Sequence, residues 1–170
     1  MRSIKNKVII LVSILSLLST EVFGQLQINP NGPITPVQAV QNILVGAGIN
    51  AFNVTYNGSA ALAQNVQPAV SEFAAGASGF PMSAGVVMQT QNAPTVNNDP
   101  DLAALAGQNV TNGSIIEFDF IPTGDPLSFN YIFASAEYTS FTCSNFNDVF
   151  GFFISGPGIN GPFLNNAVNI

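Results

Sequence analysis

Hydrophobic and polar positions alternate most clearly between 115 and 133. Ile116, Phe118 and Phe120 are separated by Glu117 and Asp119, a period of two that predicts a half-buried strand. The segment PTGDP at 122–126 reads as a turn, after which Leu127, Phe129, Tyr131 and Phe133 alternate with Ser128 and Asn130. The two runs are therefore expected to pair as an antiparallel hairpin. Residues 149–154 (VFGFFI) are apolar on both faces and predict a central strand covered on both sides. Strands are also expected at 49–56, ahead of the turn signal Asn57-Gly58, and at 84–90, read as buried. NNAVNI at 165–170 looks like the start of another.

Helical periodicity is confined to short stretches. Thr35 is placed as an N-cap with Pro36 after it, and Val37, Val40, Ile43 and Leu44 fall on one face before Gly46 or Gly48. Asp99 is a second N-cap, with Pro100 following, Leu102 and Leu105 inward and Gly107 as the stop. Residues 60–73 have helical propensity, 76–81 read as loop, and 92–98 as a polar turn region. No repeat of 20–50 residues is visible. Short strands punctuated by Gly, Pro and Asn predict an all-β fold, an antiparallel β-sandwich of jelly-roll-like form with one or two short helices.

The N-terminus follows a different pattern. Arg2, Lys5 and Lys7 precede the eleven-residue apolar run 8–18, and Val22 and Gly24 place small residues at −3 and −1 before Gln25. This is the pattern of a cleavable signal peptide, and the run is short of the ~20 residues a membrane-spanning helix needs. The expected organisation is a signal peptide over 1–24, a lead-in loop over 25–34 and a β-sandwich domain over 35–170. The expected location is outside the cell, secreted or on its surface.

Charge sharpens that picture. Every Lys and Arg lies in the first seven residues and there is no His, so removal of 1–24, which also carries Glu21, takes the formal charge from −6 to −8. A chain without cations cannot neutralise phosphates, which excludes nucleic-acid binding, and contact with anionic lipid headgroups is disfavoured for the same reason. The partners left are extracellular glycans or proteins. His-dependent triads and His-ligated zinc are excluded as well.

Carboxylates are the chemistry that remains. Glu117, Asp119, Glu137 and Asp148 are candidates for a glycoside-hydrolase pair, although alternation places Glu117 and Asp119 on the solvent face of a strand. Calcium is the sharper expectation, because it takes oxygen ligands. Asp99 and Asp101 stand two apart beside Asn97 and Asn98, while Glu137, Asn145, Asn147 and Asp148 cluster around one loop. The candidate Ca²⁺ ligands are thus Asp99, Asp101, Glu137, Asn147 and Asp148. No EF-hand loop accompanies them.

Ten of the thirteen Phe residues after the signal segment lie between Phe118 and Phe163, an arrangement expected to form core. Tyr131 and Tyr138 alone in that region carry a polar tip, the feature that keeps a carbohydrate-binding module open as an alternative. Cys143 is the single cysteine and has three readings: a buried thiol, which composition favours, an intermolecular link, or half of a pair completed elsewhere.

Three motifs carry a resemblance. NDPDLAALAG at 98–107, IIEFDFIPTGDPLSFNYIFASAEY at 115–138 and CSNFNDVFGFFISGPGINGP at 143–162 resemble the choice-of-anchor L domain of bacterial secreted and surface proteins. The stretch 35–59 is similar to that family's opening. The resemblance implies a non-catalytic structural, adhesive or display role, and a domain continuing past residue 170 towards a segment read by anchoring or sorting machinery. It also implies that a disulfide partner for Cys143 could lie in that continuation, which puts the bridge level with the buried thiol. The sequence departs from the family where Ala136 precedes Glu137 in place of a second acidic residue, and where Thr139 and Ser140 follow. A role needing paired carboxylates at that motif is therefore not supported.

Overall fold

The computed structural model describes residues 24–46, 49–60, 66, 68–91, 95–124, 127–137, 139–141, 144, 146 and 148–170. The expected signal segment up to residue 23, Tyr138, Cys143, Asn145 and Asn147 lie outside the described residues. So do 61–65 and 67 of the helix-prone stretch, 92–94 of the polar turn region and 125–126 of the turn.

The elements are β1 (Gln27–Ile28), α1 (Pro36–Gln38), a π-helical continuation (Ala39–Leu44), β2 (Ile49–Tyr56), β3 (Ser59–Ala60), β4 (Val70–Ala74) and β5 (Ala84–Met88). Then come α2 (Pro100–Ala106), β6 (Ile116–Pro122), β7 (Phe153–Ile154), a single 3₁₀ turn (Leu164–Asn166) and β8 (Val168–Asn169). The fold is all-β and antiparallel with two short helices: one sheet runs β1-β4-β5, another β3-β2-β6, and β7 pairs with β8. Among the described residues no helix is long and apolar enough to cross a membrane.

Both helices begin where the sequence places them. Thr35 Oγ1 accepts from Gln38 N at 3.2 Å and Gln38 Oε1 accepts from Thr35 N at 2.8 Å, a reciprocal cap satisfying two orphan amides. The helix then widens, Val45 N bonding to Val40 O five residues back. Widening rotates the expected apolar face, so Val40 is fully buried while Leu44 turns to solvent. Asp99 Oδ1 caps α2 by accepting from Leu102 N at 2.9 Å, and Gly107 ends it in the left-handed conformation.

β2 is the organising strand. Its turn carries positive φ at both Asn57 and Gly58, the backbone a two-residue hairpin requires, and leads into β3 with Tyr56 opposite Ser59. Between Phe52 and Thr55 the register against β6 slips by one, and Asn53 sits at φ 52° in the resulting bulge. The extra residue shifts the phase of alternation, so Ala51 before it and Val54 and Tyr56 after it all face inward. All seven non-glycine residues with positive φ among those described are Asn, whose short amide tolerates that region best.

Four expectations are corrected. β6 pairs with β2 and not with 127–133, so the predicted hairpin does not form. The distant strand wins because both of its faces match: Ile116, Phe118 and Phe120 pack on the core, while Thr55 and Asn53 donate to Glu117 and Asp119 on the solvent face. Val70–Ala74, within or beside the helix-prone stretch, is a strand, because pairing with β5 and burial of Val70, Ser71 and Phe73 override a weak local propensity. The run 149–154 is not a central strand: only Phe153–Ile154 enters a ladder, and these residues are half-buried. The strand expected at 84–90 forms at Ala84–Met88, but at the edge of its sheet and only half-buried.

The core lies elsewhere than the phenylalanines suggested. Ala39, Val40, Ala51, Val54, Tyr56, Val66, Ala69 and Val70 form its buried centre, and α1 with its continuation touches strands of both three-stranded sheets. Among the described residues of the aromatic-rich second half, only β6 supplies side chains packed against this cluster. Phe73 also folds across Gly85 on the neighbouring strand, where a Cβ would lie 2.8 Å from its ring.

Candidate functional site

Two extended segments outside the main sheets bring the aromatic residues together. Phe129 stacks on Phe152 with ring centroids 3.8 Å apart, and Tyr131 stacks on Phe150 at 5.0 Å. Phe133 reaches Phe150 at 6.0 Å, and Phe129 lies 6.1 Å from Tyr131. As residue number rises on one segment it falls on the other, the relation of antiparallel neighbours whose facing side chains sit two residues apart. The rings thus form one continuous zig-zag column.

This column faces solvent. Tyr131 is 59% exposed, Phe133 50% and Phe150 43%. The opposite face of the second segment points the other way: a Cβ on Gly151 would meet the Phe153 ring and Leu105 of α2, and Phe153 packs edge-on against Phe163 at 4.8 Å. Alternation therefore divides VFGFFI into an inner face seated over α2 and an outer aromatic face. The inner face is half-buried but lies outside the core cluster, so the expectation that these phenylalanines form core fails for both faces.

One end of the column is polar. Ser135 donates through Oγ to Asp148 Oδ2, continuing the pairing by one rung, and the same Oγ accepts from Glu137 N at 3.0 Å. Asp148 is exposed and Glu137 half-buried. The following turn is closed by Phe141 N bonding to Glu137 O, and carries Phe141 edge-on to Phe146 at 5.8 Å. Aromatic surface thus extends on both sides of the Ser135–Asp148 pair.

The other carboxylates are committed to local structure. Asp99 caps α2, and Asp101 Oδ1 accepts from Leu164 N at 2.8 Å, tying the helix to the C-terminal turn. Asp119 accepts from Asn53 at 2.7 Å and Glu117 from Thr55 at 3.2 Å across the sheet, both on the solvent face as expected. A cleft of about 270 Å³ brings Asp99 and Glu117 to one wall with Asn57, Asn97 and Asn98. A second, of about 360 Å³, is lined by Asn31, Gln38, Asn42 and Glu72, with Asn31 donating to Glu72 at 3.2 Å. Neither wall includes Glu137 or Asp148.

Of the five candidate calcium ligands, the structure places Asp99 at the N-cap of α2 and Asp101 within it, links Glu137 to Asp148 through Ser135, and does not describe Asn147. Among the described residues, no three acidic, His or Cys side chains gather as a metal site would need. Sequence reasoning missed Ser135 and the outward turn of Phe129, Phe133 and Phe150. The signal was present in the matched two-residue spacing of 129–131–133 and 150–152, but alternation alone does not say which side of a strand is solvent.

Comparison with curated proteins and with solved structures found no match. A family model does match: that of the choice-of-anchor L domain, over residues 27–170. The match begins at β1 and takes in every element described above, including both segments of the aromatic column. The chain belongs to the choice-of-anchor L domain family.

Proposed function

We propose that this chain is a non-catalytic domain, carried out of the cell by its N-terminal segment, with a structural, adhesive or display role at or beyond the cell surface. Its working surface is the outer aromatic column. The observation that carries this reading is a contiguous band of rings, most of them exposed, on two neighbouring segments, the second of which has its other face against α2. Apolar patches of that kind mark contact surfaces in soluble proteins.

Geometry favours a protein contact over a sugar platform. A sugar lays its C–H face flat on an open ring, whereas Phe129, Phe152, Tyr131 and Phe150 turn their faces to one another and present edges outward. Ring edges and the gaps between them suit interdigitating side chains. Tyr131 with its hydroxyl is the residue that keeps the carbohydrate-binding alternative in play. A glycan hydrolase needs its two carboxylates to flank a substrate, whereas Glu137 and Asp148 are joined through Ser135.

The test is attachment of labelled full-length chain to cells or extracellular matrix, with Phe150→Ser alongside. The expected result is attachment that falls with the substitution and no turnover of polysaccharide. Unchanged attachment would remove the aromatic column from the account. Product release lost in Glu137→Gln or Asp148→Asn would replace adhesion by hydrolysis. Calcium is a separate proposal resting on the oxygen donors Asp99, Asp101, Glu137, Asn147 and Asp148: no heat and no rise in melting temperature on titrating the full chain with Ca²⁺ would withdraw it.

A further inference from the structure

We infer that the aromatic column docks a polypeptide segment that brings its own cation, an apolar stretch carrying Arg or Lys, and not a second copy of this chain. The inference rests on the column being the contact surface, and adds the chemical class of what covers it.

The argument starts from Asp148. It is exposed, it stands on the ring-bearing face two residues from Phe150, and Ser135 donates to one of its oxygens. A partner that covers the rings closely enough to exclude water also covers this carboxylate. Removing a carboxylate from water without a compensating charge or donor is far costlier than burying the apolar rings is favourable. The occupant must therefore present a strong donor at that end of the column. Arg suits the position best, because its planar fork can meet a carboxylate in two hydrogen bonds while its stem packs on the neighbouring rings.

Self-association fails this requirement. Residues 8–170 contain no Lys, Arg or His, so these residues of a second copy bring no side-chain cation to Asp148. They bring carboxylates instead. The same charge balance that disfavours nucleic acid favours a cationic partner, since the charged side chains of residues 8–170 are all carboxylates. Specificity divides accordingly: the rings supply contact area, and Asp148 rejects segments that are neutral or acidic at the facing position.

The test uses the full chain and three labelled synthetic peptides that share one alternating Val/Leu/Phe pattern. The central polar position is Arg in the first, Ser in the second and Glu in the third, and binding is read by fluorescence anisotropy. The Arg peptide is expected to bind at least about tenfold tighter than the Glu peptide, with the difference shrinking as salt rises from about 0.05 M to about 0.5 M. Asp148→Asn should weaken the Arg peptide about fivefold or more and flatten its salt dependence, while the Ser and Glu peptides, which no longer bury an unpaired carboxylate, bind more tightly. Phe150→Ser and Phe129→Ser should weaken all peptides that bind.

Equal binding of the Arg and Glu peptides would overturn the inference, and so would indifference to Asp148→Asn. Concentration-dependent dimerisation abolished by Phe150→Ser would overturn it in favour of a second copy. Failure of all three peptides, with attachment to cells or matrix still lost in Phe150→Ser, would sink the cationic partner and leave the adhesive column standing. Attachment unaffected by Phe150→Ser would sink both.

Discussion

Replacing Tyr56 by Ala, and Phe146 by Ala in parallel, asks where this protein keeps its core. Tyr56 is 2% exposed and the largest of the fully buried side chains, whereas Phe146 is 66% exposed. Truncating a buried aromatic costs about 3–5 kcal/mol, the sum of lost transfer energy and the cavity left behind. Complete burial of a Phe contributes about 1.5–3 kcal/mol, so the buried third of Phe146 is worth about 0.5–1 kcal/mol. A compact unfolded state lowers that figure further. Tyr56→Phe isolates the hydroxyl, which lies 3.3 Å from Ser114 Oγ, and should cost about 1 kcal/mol, the usual net value of one hydrogen bond. Urea unfolding of the full chain, followed by far-UV circular dichroism, gives each difference from the shift in midpoint at constant slope. A loss for Phe146→Ala equal to that for Tyr56→Ala would refute the reasoning, because it would mean that the aromatic half is core after all.

Four further outcomes follow from the same structure. Thr35→Ala removes the reciprocal cap with Gln38 and should cost about 0.5–2 kcal/mol, while Thr35→Ser keeps the hydroxyl and most of the stability. At the bulge, Asn53→Ala loses both the hydrogen bond to Asp119 and the tolerance of positive φ, for about 1–2 kcal/mol; Asn53→Gly keeps the backbone and should cost less in the same unfolding assay. Gly85→Ala drives a methyl into the Phe73 ring and should destabilise by about 1–3 kcal/mol, with partial recovery in the Gly85→Ala/Phe73→Leu double variant that a mutant cycle would register. Mass spectrometry of chain recovered outside the cell should find Gln25 as its first residue; a chain retaining Met1 there would refute cleavage.

Much of the fold could be read from local signals because local chemistry specifies it. Thr35 and Asp99 cap helices wherever they are followed by Pro and a helical period, and Asn57-Gly58 makes the same tight turn in almost any hairpin. The alternation of Ile116, Phe118 and Phe120 with Glu117 and Asp119 fixes which side of β6 is inward, since one set needs burial and the other needs water. Charge is equally independent of structure: with no cation between residue 7 and residue 170, the expectation against nucleic-acid binding comes from composition and not from the fold.

Tertiary structure decided what local patterns leave degenerate. β6 chose β2 over its neighbour in sequence because ladder partners are selected by two matching faces, a comparison that involves residues some sixty positions apart. The bulge at Asn53 reset the phase of β2, which no alternation rule anticipates. Above all, the ring spacing at 129–133 and 150–152 is the same whether the rings meet a core or the solvent. Only the seating of Gly151 against Leu105 of α2 turned Phe150, and with it Asp148, outward. Period two defines two faces of a strand; which face is the surface depends on what the rest of the chain has already covered.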